Sequence, residues 1–152
     1  MKQINPNNKF NKNKPLKVIS LFSGIGAFEK ALQRLNIPFV IENYCEKDKY
    51  ASKAYSLIHN VPEILNLGDI QNVNLNEVPD CNLLTWGFPC TNISIAGNQN
   101  GLQYKCIECN NKFSLDLINN NKCPKCGSFN IKSITQSALY LEGLKFLQTK
   151  QP

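Results

Sequence analysis

Short apolar runs alternate with helix-spaced apolar positions along most of this chain. Leu16-Lys17-Val18-Ile19-Ser20-Leu21-Phe22 reads as a first strand, closed by Ser23-Gly24-Ile25-Gly26. Ala27, Phe28, Ala31, Leu32 and Leu35 then recur at the spacing of one helix face. Phe39-Val40-Ile41 opens a second strand running towards Glu46, and Tyr50 to Ile58 reads as a second helix. Ile64-Leu65-Asn66-Leu67 reads as a weak third strand ending at Gly68-Asp69-Ile70, and residues 81–86 as a fourth. Leu139, Leu144 and Leu147 place a last helix over 135–147. Strands alternating with helices predict an α/β fold, a parallel sheet with helices on both faces.

Composition narrows the class. The chain has 152 residues, 42% of them hydrophobic and 18% charged, which suits one core of moderate size. Seventeen Lys and Arg against 11 Asp and Glu give a net charge of +6, which favours contact with a polyanion. No apolar run is long enough for a membrane span. Residues 1–15, rich in Asn and Lys, read as a disordered basic tail without the apolar stretch of a signal peptide. A cytoplasmic protein without membrane contact is therefore expected. In that setting seven cysteines argue for metal binding or chemistry rather than a disulfide framework.

Four constellations carry candidate chemistry. The first is the turn Ser23-Gly24-Ile25-Gly26 between strand and helix, with Glu46 twenty residues beyond Gly26. Glycines there let a cofactor approach the backbone, and an acid after the second strand suits ribose hydroxyls. Glu29 stands where the dinucleotide fingerprint has its third glycine. A pyrophosphate would not welcome that carboxylate, so a phosphate-free cofactor such as S-adenosylmethionine fits better. A tight turn with no ligand is the plainer reading. The second is Asp69, placed to meet an adenine amino group or simply to cap a turn. The third is Gly87-Phe88-Pro89-Cys90, which sets a thiol just past the carboxyl end of the fourth strand, where α/β proteins bind ligands. Cys45 and Cys81 read instead as small buried hydrophobes. Trp86 is expected to wall the cofactor turn, and His59, the only histidine, to lie at the surface or cap a helix.

The fourth is Cys106-x-x-Cys109, thirteen residues, then Cys123-x-x-Cys126. Two such pairs supply four thiolates for a tetrahedral Zn2+, as in a zinc ribbon.

Together these residues resemble the DNA (cytosine-5) methyltransferase family. Phe22-Ser23-Gly24-Ile25-Gly26-Ala27-Phe28 looks like its first cofactor motif, Glu46-Lys47-Asp48 its second, and Gly68-Asp69-Ile70 its third. Gly87-Phe88-Pro89-Cys90 with Ile93-Ser94-Ile95-Ala96-Gly97 looks like the catalytic motif and its loop, and Ser137 to Glu142 like the helix of the next motif. Thr91 departs from the glutamine the family commonly has after its cysteine, and the cysteine block is an insertion relative to short members.

The resemblance implies a Rossmann-like S-adenosylmethionine-dependent methyltransferase fold with an incomplete parallel sheet. It divides the chain into a partial catalytic domain, 16–103 and 134–152, and a four-cysteine zinc-ribbon insertion, 104–133. It implies Cys90 as the nucleophile on a cytosine flipped out of double-stranded DNA. Phe22, Ser23, Gly24, Ile25, Gly26, Glu46, Lys47, Asp69, Ile70, Pro89 and Leu139 would hold S-adenosylmethionine. The family continues past the helix at 135–147 into a glutamate-bearing strand, an Arg-rich motif and a target-recognition domain. This chain is expected to be the amino-terminal part of a bacterial or phage enzyme, with a second polypeptide as one source of the rest. The competing reading is a non-catalytic zinc-ribbon remnant or subunit that binds nucleic acid.

Overall fold

Residues 14–114 and 122–152 are described in a computed structural model. The centre of the fold is β1 (Leu16–Leu21), whose Val18, Ile19, Ser20 and Leu21 are all buried. A strand buried on both faces needs a neighbour on each edge, and β1 has them: β2 (Phe39–Cys45) and β3 (Leu83–Trp86) both pair with it in parallel, giving the order β2-β1-β3. Parallel pairing requires crossovers. The first passes through α1 (Ala27–Arg34), and α2 (Lys49–His59) follows β2. The last helix, α3 (Tyr140–Lys150), packs Phe146 onto Ile19, Leu21 and Cys45, while α2 packs Tyr55 onto Ile41 and Tyr44. Helices thus cover both faces, as the alternation predicts.

Three elements differ from expectation. The third strand does not form: Glu63–Leu65 is a single 3-10 turn, and one bridge joins Asn66 to Tyr44. The reason is the Asn66 side chain. Its Oδ1 accepts from the Glu46 N–H at 3.0 Å and its Nδ2 donates to the Glu46 carbonyl at 2.9 Å. A side-chain amide so takes the place of the ladder that a strand would have continued.

The apolar positions of α1 also behave unexpectedly. Ala27, Phe28, Ala31 and Leu35 are exposed, and Glu29 is the buried residue of the helix. Ala27, Ala31 and Leu35, with Ile25, Gly26 and Ile58, border a shallow apolar groove of about 640 Å³. Finally, the predicted helix at 135–147 begins as a 3-10 turn, Gln136–Leu139, before α3.

A second sheet is built from β4 (Gln103–Cys106), β5 (Lys112–Ser114) and β6 (Ile131–Ser133), antiparallel in the order β5-β4-β6. Its inner face, Tyr104, Phe113 and Ser133, is buried. The Tyr104 hydroxyl donates to the Ala138 carbonyl at 2.8 Å and Ser133 Oγ to the same oxygen at 3.1 Å. The small sheet is therefore fastened to the turn that starts α3. Among the described residues no helix is long and apolar enough to cross a membrane. The expected tail at 1–15 lies almost wholly outside the described residues.

Candidate active site

The turn after β1 is held from two sides. Phe22 leaves the strand at φ 53, a left-handed conformation costly for a side chain this large and one that clusters at ligand sites. Glu46, just past β2, then accepts from the Gly24 N–H at 2.8 Å through Oε2 and from the Asp48 N–H at 2.8 Å through Oε1. One carboxylate joins the glycine turn to the start of α2. Asp48 caps that helix, accepting from the N–H groups of Tyr50 and Ala51.

From the other side comes His59. Its Nε2 lies 3.1 Å from the Ile25 carbonyl oxygen, which can only accept, so Nε2 carries the proton. The imidazole fills the space beside Gly26 (φ 86), where a Cβ would overlap it. His59 is thus buried support for the turn and not the surface or helix-capping residue expected. Only the residue type and its place at the end of α2 were visible in the sequence; Gly26 makes its room. Next to it, Tyr55 and Glu29 are fully buried. Burial, and then the Glu29 carboxylate, push the Tyr55 phenol well above its ordinary range. Glu29 therefore sits beneath the turn against α2 and is not placed to repel a pyrophosphate, contrary to the expectation from its sequence position.

A cleft of about 410 Å³ opens at the carboxyl ends of the strands. Of the predicted residues, Phe22, Glu46, Lys47, Asp69, Ile70, Pro89 and Leu139 line it, joined by Cys45, Gly68, Gly87 and Gln136. Ser23, Gly24, Ile25 and Gly26 are outside the lining: Ser23 is buried and Ile25 is 58% exposed towards the α1 groove. Asp69 accepts from the Gln71 N–H, capping a 3-10 turn, and pairs with Lys47 at 2.7 Å. Burial works against its ionised form, but the Lys47 and Gln71 hydrogen bonds and the charges of Lys47 and Lys132 hold its carboxyl below the usual range. Cys45 is no rival nucleophile. Burial pushes its thiol up to about 12, the Asp69 and Glu46 carboxylates add to this, and it donates to the Gly68 carbonyl at 3.0 Å. Trp86, expected as a wall of the cofactor turn, is outside the cleft lining. It packs on the same apolar core as Phe22 and faces Gly143 of α3, where a Cβ would stand about 3.3 Å from the indole.

Cys90 is exposed, immediately after cleft-lining Pro89. Its carbonyl accepts from the N–H groups of Ile93 and Ser94 at 3.0 and 2.9 Å, so the thiol stands at the head of a tight turn. That turn is anchored by Asn92, which is buried against Ser137 and whose carbonyl accepts from Gly101 at 2.8 Å.

The four block cysteines converge. Their sulfurs all lie within 4.8 Å of one another, with Cys106 and Cys126 3.5 Å apart and Cys109 and Cys123 3.6 Å apart. A tetrahedral zinc with Zn–S bonds of ~2.3 Å has sulfurs ~3.8 Å apart, whereas a disulfide needs ~2.05 Å. The donor set fits a tetrahedral thiophilic metal. The knuckle of the second pair is closed by the Gly127 N–H on the Cys123 carbonyl at 2.9 Å, with Gly127 at φ 73.

A cleft at the carboxyl ends of the strands, bordered by acids and followed at once by an exposed thiol, lies where α/β proteins bind ligands. The family model "C-5 cytosine-specific DNA methylase" matches residues 16–106, and the chain belongs to that family. The orphan methyltransferase M.SPBetaI of Bacillus phage SPbeta is 41% identical over 140 residues, 90% of this chain and 32% of the phage protein. A match of that extent necessarily runs through the cysteine block. The type II methyltransferase M.HhaI of Haemophilus parahaemolyticus is 40% identical over 89 residues, 58% of this chain and 25% of its own. A crystal structure of the S. pombe Dnmt2 methyltransferase overlays 49% of this chain and 24% of that one, at 32% identity and a TM-score of 0.43. The chain spans about a third of the length of the phage relative it matches.

Proposed function

We propose that this chain supplies the S-adenosylmethionine cleft and the cysteine nucleophile of a DNA (cytosine-5) methyltransferase. The observation that carries the reading is the continuity of Pro89 and Cys90: one lines the cleft of Glu46 and Asp69, the next exposes its thiol. The cleft fits the cofactor by chemistry. Glu46 and Asp69 suit ribose hydroxyls and an adenine amino group, Phe22, Ile70 and Leu139 suit the apolar ring faces, and Lys47 is spent on Asp69. Ser23 to Gly26 serve by shaping the turn that presents Phe22. Bound there, S-adenosylmethionine supplies the methyl group.

Cys90, as thiolate, adds to carbon 6 of a cytosine flipped out of double-stranded DNA, forming the S–C6 bond and making carbon 5 nucleophilic. Once carbon 5 is methylated, loss of its proton to a base breaks the S–C6 bond and frees the thiolate. Protonation of the cytosine ring falls to the other two-thirds of the relatives' length, carried on the same or a second polypeptide. Residues 16–103 and 134–152 form the partial catalytic domain. Residues 104–133 form an inserted ribbon in which Cys106, Cys109, Cys123 and Cys126 hold a structural Zn2+. The setting is the cytoplasm of a bacterium or of a phage-infected host.

The test is capture on duplex DNA bearing 5-fluorocytosine, whose fluorine blocks the final elimination, with the carboxyl-terminal part of the phage relative added in trans. An adduct on the Cys90 peptide that disappears in Cys90→Ser supports the reading. An adduct that persists in Cys90→Ser, or none with DNA and cofactor both bound, refutes it.

A further inference from the structure

The outer face of the β5-β4-β6 sheet carries three lysines of the cysteine block that strand register sets side by side. Lys105 pairs directly with Lys112 on one side and with Lys132 on the other, so three lysines 7 and 27 residues apart stand abreast on one face. The opposite face, Tyr104, Phe113 and Ser133, is buried against the start of α3, which turns the lysine row away from the body of the protein. Like charges directly opposed across strands destabilise a sheet. No described carboxylate forms an ion pair with any of the three. The sheet therefore accepts a standing repulsion that an external polyanion would relieve.

Spacing and surroundings point to one partner. Neighbouring strands are ~4.8 Å apart, so the row is about 10 Å long, the axial rise of about three phosphates on one DNA strand. The same ribbon presents Phe129, 68% exposed, with Lys122 Nζ 4.7 Å from its ring centre. At its near end Lys132 is close enough to act electrostatically on Asp69 in the cleft. We propose that the Lys112-Lys105-Lys132 row of the cysteine-cluster sheet is a sequence-independent contact for the phosphate backbone of duplex DNA. It rests on the reading of this chain as part of a DNA methyltransferase, and it gives the inserted sheet a task beyond support. Binding would hold the duplex on this face without reading bases.

The experiment is fluorescence anisotropy of the metal-loaded chain with a short labelled duplex across a series of salt concentrations. Each Lys→Gln change at 105, 112 or 132 is expected to lower the log K against log salt slope by about 0.9, and the triple change by up to three times that. At 0.1 M salt each contact is then worth up to roughly an eightfold change in affinity. Lys30→Gln with Lys53→Gln, on α1 and α2, serves as the control pair and should leave the slope in place. Metal content and thermal unfolding verify the fold of each variant, and the single changes carry the test if the triple one fails to fold. An unchanged slope in the single variants, an equal loss in the control pair, or no salt-dependent duplex binding by the unaltered chain would each overturn the proposal. S-adenosylmethionine binding and Cys90 capture, measured on the same variants, separate that failure from failure of the methyltransferase reading.

Discussion

Asn92 and Ser137 exchange two hydrogen bonds, the Asn92 N–H donating to Ser137 Oγ at 3.0 Å and the Ser137 N–H to Asn92 Oδ1 at 3.1 Å. Both residues are buried, and they lie 45 positions apart. The pair locks the turn headed by Cys90 to the turn that sends Gln136 and Leu139 into the cleft. The inserted sheet is fastened to that same turn through Thr135, whose Oγ1 accepts from the Gln103 N–H at 3.1 Å and donates to the Gly101 carbonyl at 3.0 Å. Nucleophile, cleft wall and cysteine cluster therefore meet on residues 135–138.

Asn92→Ala should cost about 1–3 kcal/mol, because it strands the buried Ser137 N–H. Thermal unfolding should show a drop of several degrees, with faster alkylation of the residues around Cys90. Asn92→Asp keeps the acceptor for Ser137 but turns a buried carboxylate oxygen on Asn98 Oδ1, so it should recover only part of the loss. Equal melting of all three proteins would show that the lock carries no weight.

Gly26→Ala is expected to be among the most damaging small changes in the chain. The new Cβ meets the His59 ring, and the residue is held at φ 86, where L side chains are strained. Adding His59→Ala should restore only part of the lost stability, since it removes the clash and leaves the backbone strain. Full restoration, read by urea unfolding, would show that the clash is the whole effect.

Thiol chemistry separates the seven cysteines. In metal-loaded protein at pH 8, iodoacetamide should modify Cys90 first, because burial raises the Cys45 and Cys81 thiols and the cluster sulfurs are committed to the metal. After chelation Cys106, Cys109, Cys123 and Cys126 should become reactive, and the protein should melt lower. Rapid modification of exposed Cys126 before chelation, followed by peptide mass mapping, would contradict the four-sulfur site.

Asp69 predicts an acid limb. Its carboxyl titrates below its ordinary value of 3.8 when folded, so it contributes stability above that value and loses it as the pH falls through the lower folded one. The difference in urea midpoint between the native chain and Asp69→Asn should therefore be constant above about pH 5 and vanish towards pH 2. A difference that persists at the lowest pH would assign the effect to packing and not to the charge.

The sequence made the architecture legible where burial and periodicity agree. The run from Leu16 to Leu21 is the two-faced central strand, and Leu83 to Trp86 falls inside the predicted fourth one. It misled where a side chain replaced the backbone, as Asn66 does for the missing strand. The helical spacing of Ala27 to Leu35 located α1 correctly, yet spacing carries no information on whether the apolar face is covered. Within the site, the glycine turn, Glu46, Asp69, Cys90 and the cysteine pairs are local patterns and could be read directly. His59 against Gly26, the Asn92–Ser137 lock and the alignment of Lys105, Lys112 and Lys132 arise only when distant segments meet. Their residues are ordinary until tertiary contact or cross-strand register makes them neighbours.

The most direct test is calorimetric titration of the metal-loaded chain with S-adenosylmethionine, beside Glu46→Ala. Glu46 both shapes the glycine turn and faces the cleft, so its loss should weaken cofactor binding by about tenfold to a hundredfold, the worth of one charged hydrogen-bonding group. Saturable one-site binding by the native chain with that loss in the variant is the predicted result. No binding by the native chain, or binding indifferent to Glu46, would contradict the cleft as the cofactor site.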